Sequence, residues 1–424
     1  MIFFTTMRSE KLLPIITSIW LLVAMHSFFT WNNYSYLFHI IPPLLIVALS
    51  LQVINKNIHY INSNGILLSL LLLVSWIFLR HDVHINIKLL KLFDFIPLFF
   101  LLFLPKLYLY KTFDILRKIF IFYSIGCAII TVISFSGYLQ YIPHYVLPAQ
   151  ETIHKELGLN YNVYGLFPIL DNRDQFVRCC GMVQEPGHFS IYLGIVYMID
   201  RLMRGKINYW LIPGAISAFS STFFIIFFIT EIMSLNHIAT SQKKVRNLKY
   251  FFLFIVIVFF IYISLGETFK NAIEELFWGR QLGGLLTIVD QTNSLDSALD
   301  QRASEIGLEI YNKLDTFSIL FGGTKLLDIL SDYRGLIVTL GVVGILLSAI
   351  CIITLSINSP LRIKLIISFV FLLVLIHRSW MIPSPVIYTL FFFAVTLSPN
   401  SIFTKEITPR FYRQLQNIIK SKRI

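Results

Sequence analysis

The densest group of chemically able residues lies between Arg178 and Ser190, in the run Arg-Cys-Cys-Gly-Met-Val-Gln-Glu-Pro-Gly-His-Phe-Ser. Arg178, Glu185 and His188 leave a long polar loop there and pass straight into an apolar run. Ionisable groups at a membrane edge are costly to keep, so a glutamate before Pro-Gly at a helix mouth marks a candidate active site. Glu185 has two chemical readings, a general base toward an acceptor hydroxyl or a clamp that orients Arg178. Its packing alternative is a carboxylate stabilised by a helix dipole. His188 lies within the next turn, where it can shuttle a proton or sit packed and hydrogen-bonded.

Six arginines fall on the same side of the chain's expected topology: Arg173, Arg178, Arg280, Arg302, Arg334 and Arg378. The guanidinium fork gives bidentate, permanently charged contacts, which suit a phosphate or diphosphate. A site for an anionic lipid headgroup would use them. The alternative for each is an ion pair with a loop carboxylate such as Asp174, Glu305 or Asp332.

Several chemistries lack their residues. There is no GxxxxGK[ST] phosphate cradle and no dinucleotide fingerprint. His26, His39 and His59 are scattered, and His81 with His84 lacks a third ligand, so no metal and no cofactor are expected. Cys127 and Cys351 fall in apolar runs, and the adjacent Cys179 and Cys180 are badly placed to bridge each other, so no disulfide frame is expected.

The elements that must position these residues are hydrophobic. Of the 424 residues, 56% are hydrophobic and 14% charged, with mean hydropathy +0.73. That balance implies an all-α polytopic membrane protein rather than a soluble domain. The net charge of +12 is assigned to cytoplasmic loops, not to a nucleic-acid partner. Apolar runs at 12–30, 36–54, 65–79, 92–104 and 115–136 predict five N-terminal helices within residues 1–136. The first is read as a retained helix, because no small-residue cleavage site follows it.

Lys106, Lys111, Arg117 and Lys118 place the next link inside, and so place the loop 137–185 outside. Its tyrosines, Tyr138, Tyr141, Tyr145, Tyr161 and Tyr164, fit sugar stacking or an interfacial belt equally. Two strand-like runs, 160–169 and 175–183, are expected to form a hairpin around the turn Asp171-Asn172-Arg173-Asp174. A sixth helix is expected from Pro186 to Asp200.

Basic links at 201–206 and 242–249 then require the apolar stretch 207–235 to cross an even number of times. It is too short for two full spans. A broken or re-entrant pair meeting near Ser217–Thr222 is therefore expected within the central unit 186–266, with a tilted single helix as the alternative. A ninth span near 248–266 leads to a large outer loop, 267–334, with an amphipathic helix near 269–277 and a second helix capped by Asp300. Spans at 335–356, 361–377 and 384–398 precede a basic tail, 399–424. The expected total is about twelve crossings, both termini inside, with two large outer loops.

Arg178-x-x-Gly181-x-x-x-Glu185-Pro186 resembles the entry to a central helix in the O-antigen polymerase and O-antigen ligase superfamily of bacterial membrane glycosyltransferases. Arg302, Gly322-Gly323 and Gly341-x-x-Gly344 resemble that superfamily's second large periplasmic loop, and Ser220-Ser221 its polar interruption, without the arginine that often follows the serine. The likeness covers roughly residues 175–350 by motif. It implies an inner-membrane enzyme with a periplasmic site, moving a glycan from undecaprenyl diphosphate to a sugar hydroxyl without metal or nucleotide. Glu185, Arg178 and Arg302 would be catalytic, and Arg173, His188, Arg280 and Arg334 would bind substrate. The implied partners are a lipid-linked oligosaccharide, membrane lipid and a chain-length regulator protein. Ligases often carry a His-Asn pair before the glycines. Leu330-Ser-Asp-Tyr-Arg334 has no histidine, which favours the polymerase. A ligase acting on lipid A core and a flippase or other transporter are the alternatives.

Overall fold

The computed structural model describes residues 2–25, 27–28, 35–56, 95–148, 160–170, 178–235, 305–322, 333–357, 359–378, 381–382 and 384–398. The spans expected at 65–79 and 248–266, the amphipathic helix near 269–277, the turn 171–174 and the basic tail lie outside these residues.

The described chain is mostly helical. It runs through α1 (Ile2–Ala24), α2 (Ser35–Lys56), α3 (Lys106–Phe135), α4 (Pro186–Arg204), α5 (Ile212–Ala218) and α6 (Ser221–Leu235). It continues with α7 (Glu305–Asn312), α8 (Thr316–Phe321), α9 (Tyr333–Ser356), α10 (Leu361–His377) and α11 (Pro385–Leu397). Lys106–Phe135 and Arg334–Ser356 are long and apolar enough to cross a membrane. Lys11–Ala24, His39–Asn55, Ser221–Ser234 and Pro385–Leu397 are shorter apolar helices.

The surface supports membrane association. Leu361, Leu365, Phe369, Leu372 and Ile376 form an exposed apolar stripe at helical spacing along α10, and α3 exposes Phe122, Ile129, Val132 and Phe135. Such continuous apolar surface suits hydrocarbon better than water. By contrast α4 is buried from Pro186 to Leu202, and every residue of α11 is buried. A helix buried all round belongs at the centre of its bundle. Accordingly α4 packs on α6, α11, α5 and α3.

Local chemistry sets the ends of α4. Glu185 is the extended N-cap (φ −134°), Pro186 follows at the first turn, and Gly205 closes the helix in the left-handed region (φ 67°). The helix runs on past Asp200, its expected end, to Arg204. Arg201 and Arg204 are favourable in a last turn, where they face the negative end of the helix dipole. They are helix residues rather than a solvent link.

Three strands form a small antiparallel sheet: β1 (Tyr145–Pro148), β2 (Asn160–Tyr164) and β3 (Phe167–Leu170), in the order β1-β2-β3. The run 160–169, expected to be one strand, is itself a hairpin. Gly165 supplies φ 65° between Tyr164 and Phe167, which allows a two-residue turn. Of the second expected strand, Cys179 makes a single bridge to Ile169. β1 carries no strong strand signal and was missed.

Cys127 of α3 and Cys179 are bonded, with 5.6 Å between their Cα atoms. The expectation of no disulfide is thereby corrected. It considered only the adjacent pair, and a bridge across 52 residues depends on packing that spacing does not reveal.

Candidate active site

The residues from Arg178 to Ser190 thread into the break between α5 and α6. Phe219 is left-handed there (φ 46°, ψ 51°) and ends α5. Buried backbone groups freed by such a break must find partners. Cys179 donates its N–H to Ser217 O (3.2 Å). Arg178 donates from Nε to Ala218 O (3.3 Å) and from Nη2 to Phe219 O (3.4 Å). Ser190 Oγ donates to Ser220 O (3.5 Å) and accepts the Phe223 N–H (3.0 Å). One polar loop and the first turns of α4 therefore satisfy the interruption.

The direction of the α5–α6 pair follows from its contacts. Asn208, before α5, bonds Asp200 near the far end of α4 (2.9 Å). Ser217 and Ala218 meet Cys179 and Arg178 at the near end. Glu231 of α6 then returns to Arg201 (2.6 Å). The segment 207–235 thus runs along α4, turns beside Ser190 and runs back, as two short helices joined at a break. Ser190 lies four residues into α4, about 6 Å below its mouth.

At that mouth Glu185 is paired with Arg378. Arg378 Nη2 lies 2.7 Å from Glu185 Oε2, and His188 Nε2 lies 3.3 Å from the same oxygen. Arg378 caps the C-terminus of α10, donating its N–H to Val374 O (2.8 Å). The pair joins a carboxylate at one helix N-terminus to a cation at another's C-terminus, so both charges also meet a favourable dipole. Gly187 makes the approach possible: a Cβ there would lie 3.2 Å from Arg378 Nη2. Gly181 turns the chain into the mouth with φ 63°, in a space where a Cβ would meet the Phe189 ring at 2.3 Å. Tyr161 Oη, fully buried in β2, donates to Gln184 O (2.8 Å) and pins the residue before Glu185.

The other end of α4 holds a second charged cluster. Arg201 forks onto Glu231 through Nε (2.6 Å) and Nη2 (2.9 Å), and Tyr197 Oη donates to the same carboxylate. Arg204 bridges Asp200 (2.8 Å) and Asp114 (3.2 Å), and Asp114 also takes Arg117 (2.7 Å) and Lys118 (3.0 Å). Arg362, starting α10, donates to Ser234 of α6.

Near the start of α9, buried Arg334 lies over the Tyr311 ring of α7 at 6.0 Å. Deeper, α8 presses on α9 where Gly341 interrupts the helix (φ 66°, ψ 175°). A Cβ on Gly341 would lie 2.3 Å from Leu320 O, and one on Gly322 2.4 Å from Thr339 O. The two backbones touch because neither residue has a side chain. Asp315, the N-cap of α8, accepts from Ser318, which holds its carboxyl below the usual carboxylate range.

Of the expected site residues, Glu185 and His188 meet at the mouth of α4, Arg178 sits on the carbonyls of the α5–α6 break, and Arg334 lies between α9 and α7. Arg173, Arg280 and Arg302 lie outside the described residues. In the sequence Arg378 stands out only as one of six outer arginines, and no spacing signal couples it to Glu185. The carbonyl-capping role of Arg178 was also missed. Among the described residues no group of three His, Cys, Asp or Glu side chains could hold a metal. No family model matches the chain, and no curated protein or solved structure matches it either.

Proposed function

We propose that the chain is a membrane glycosyltransferase that polymerises lipid-linked oligosaccharide repeat units, as the resemblance of Arg178–Pro186 to the O-antigen polymerases implies. In this reading about twelve helices cross the bacterial inner membrane, both termini are cytoplasmic, and the Glu185 mouth opens to the periplasm. The observation that supports it best is the cluster of Glu185, His188 and Arg378 at the mouth of α4, the helix whose Ser190 meets the break that Arg178 caps. That arrangement puts a carboxylate, a protonatable imidazole and one guanidinium at a helix mouth, with a second guanidinium on the carbonyls of the neighbouring break.

The acceptor sugar hydroxyl attacks the anomeric carbon of the growing glycan, forming the new glycosidic bond. The bond from that carbon to the carrier diphosphate breaks, and undecaprenyl diphosphate leaves with the electron pair. Arg178 and Arg302 offset its negative charge, and Arg173, Arg280 and Arg334 contribute to binding the donor. Glu185 takes the hydroxyl proton, with His188 beside it.

In a strain deleted for the gene, Arg178→Ala or Glu185→Gln should leave single repeat units where wild type restores long polysaccharide, with unchanged protein in the membrane. Wild-type chain lengths in both variants would remove these residues from the mechanism. Loss of even the single unit from lipid A core would favour the ligase. The buried charges at the Arg204 end favour a transporter as a second reading. Each carboxylate there is already paired, however, which suits a lock between helices. Purified protein in liposomes separates the classes: extension of lipid-linked oligosaccharide without a gradient marks an enzyme, and translocation alone a transporter.

A further inference from the structure

We infer that Arg378 is a positioning residue for Glu185, an inference that rests on the glycosyltransferase reading above. Sequence considerations offered two roles for Glu185 in the reaction, a base or a clamp on Arg178. The geometry adds a dedicated counterion from a different helix, Arg378, with Nη2 at 2.7 Å from Oε2. His188 shares that same oxygen at 3.3 Å. Both carry little solvent exposure, 15% for the Glu185 side chain and 22% for that of Arg378, so the attraction is only weakly screened.

Three features place Arg378 for this task. It is the C-cap residue of α10, so its backbone is fixed by the bond to Val374 O. Gly187, the second residue of α4, leaves the room its guanidinium occupies. The chain beyond it is held by Met381 N–H donating to Arg378 O (3.0 Å) and Ser384 N–H donating to Met381 O (3.0 Å), which leads directly into buried α11. Glu185 is equally fixed, as N-cap with its carbonyl accepting from Phe189 N–H (3.1 Å). Two rigid helix ends thus hold one carboxylate oxygen.

The consequence for the reaction is a carboxylate held in one orientation beside a permanent cation. Among the described residues, His188 on α4 and Arg378 at the end of α10 are titratable or charged groups that face it. An adjacent cation favours the charged form of a carboxyl group, and its removal raises the carboxyl pKa. A reaction that requires the carboxylate then loses its rate at a higher pH than before.

The test uses membranes containing the full chain, incubated with the lipid extract of a strain that lacks the gene, which supplies unpolymerised lipid-linked repeat units. Arg378→Gln should lower the initial rate of extension by about tenfold or more, with the acidic limb of its pH profile moved to higher pH. Arg378→Lys should recover much of the rate and return the limb toward wild type. An Arg378→Gln chain with wild-type rate and profile overturns the proposal. So does a variant whose lost rate the lysine fails to rescue at any pH. If the wild-type chain extends nothing, the glycosyltransferase reading falls and the proposal with it. The pair as such is checked separately: the melting temperatures of Glu185→Gln, Arg378→Gln and the double variant in detergent must be non-additive.

Discussion

At its Arg204 end α4 carries charges paired across several helices, whereas at its Glu185 end it carries a carboxylate beside an arginine and a histidine at the foot of a polar loop. The first cluster joins α3, α4 and α6 through Asp114, Asp200, Arg201, Arg204 and Glu231, and Arg362 ties the start of α10 to Ser234 of α6 beside it. Its central pair is nearly solvent-free, with 4% exposure for Arg201 and 6% for Glu231. The second joins α4 to α10, and its carboxylate is more exposed and lies beside an arginine and a histidine. The same helix thus separates a structural anchor from a candidate reaction site. Burial distinguishes them, not residue type.

The sharpest way to break this contrast is at the anchor. Arg201→Leu leaves Glu231 buried without its fork, which should cost about 3–5 kcal/mol and show as a large fall in melting temperature in detergent. Combining it with Glu231→Leu should restore most of that loss, because no unpaired charge then remains buried. If the single variant melts like wild type, the cluster is no anchor.

The disulfide belongs to the site end, since it fixes Cys179 next to Arg178. Cys127→Ser should cost about 2–4 kcal/mol. In the wild-type chain both thiols should resist maleimide until a reductant is added, and immediate labelling of Cys127 and Cys179 would remove the bridge. Such a bond forms readily only in an oxidising compartment, which fits the proposed periplasmic placing of the mouth.

Gly341→Ala tests the contact between α8 and α9. Its φ of 66° with ψ of 175° is a region in which a side chain costs about 1–3 kcal/mol, and the new Cβ would strike backbone atoms of Leu320 and Gly322. A lowered melting temperature and faster proteolysis within 305–322 are expected. The smallest effect on stability belongs to Glu185→Gln, about 1 kcal/mol, paired with the loss of polymer described above. Should this variant destabilise as much as Arg201→Leu, the two ends would be anchors of the same kind.

What was legible in the sequence was local. Pro186 after Glu185 marked the start of α4, and the limits 361–377 coincide with α10, because an apolar run between Pro360 and Arg378 leaves little choice. The polar run Ser217–Thr222 within 207–235 marked the place of the interruption, since an apolar helix has no other use for three serines and a threonine. The hairpin boundary was misjudged at Gly165, where one glycine outweighed a run of β-prone neighbours.

Composition and pattern by themselves determined that the chain is mostly helical, with helices apolar enough to cross a membrane, and that Arg178–Ser190 opens a buried helix. Tertiary structure alone decided which charges meet. Glu185 finds Arg378, Arg201 finds Glu231, and Cys127 finds Cys179, each pair far apart in the chain. Periodicity assigns a residue to a helix face, but only the packing of one helix on another brings two such faces within bonding distance.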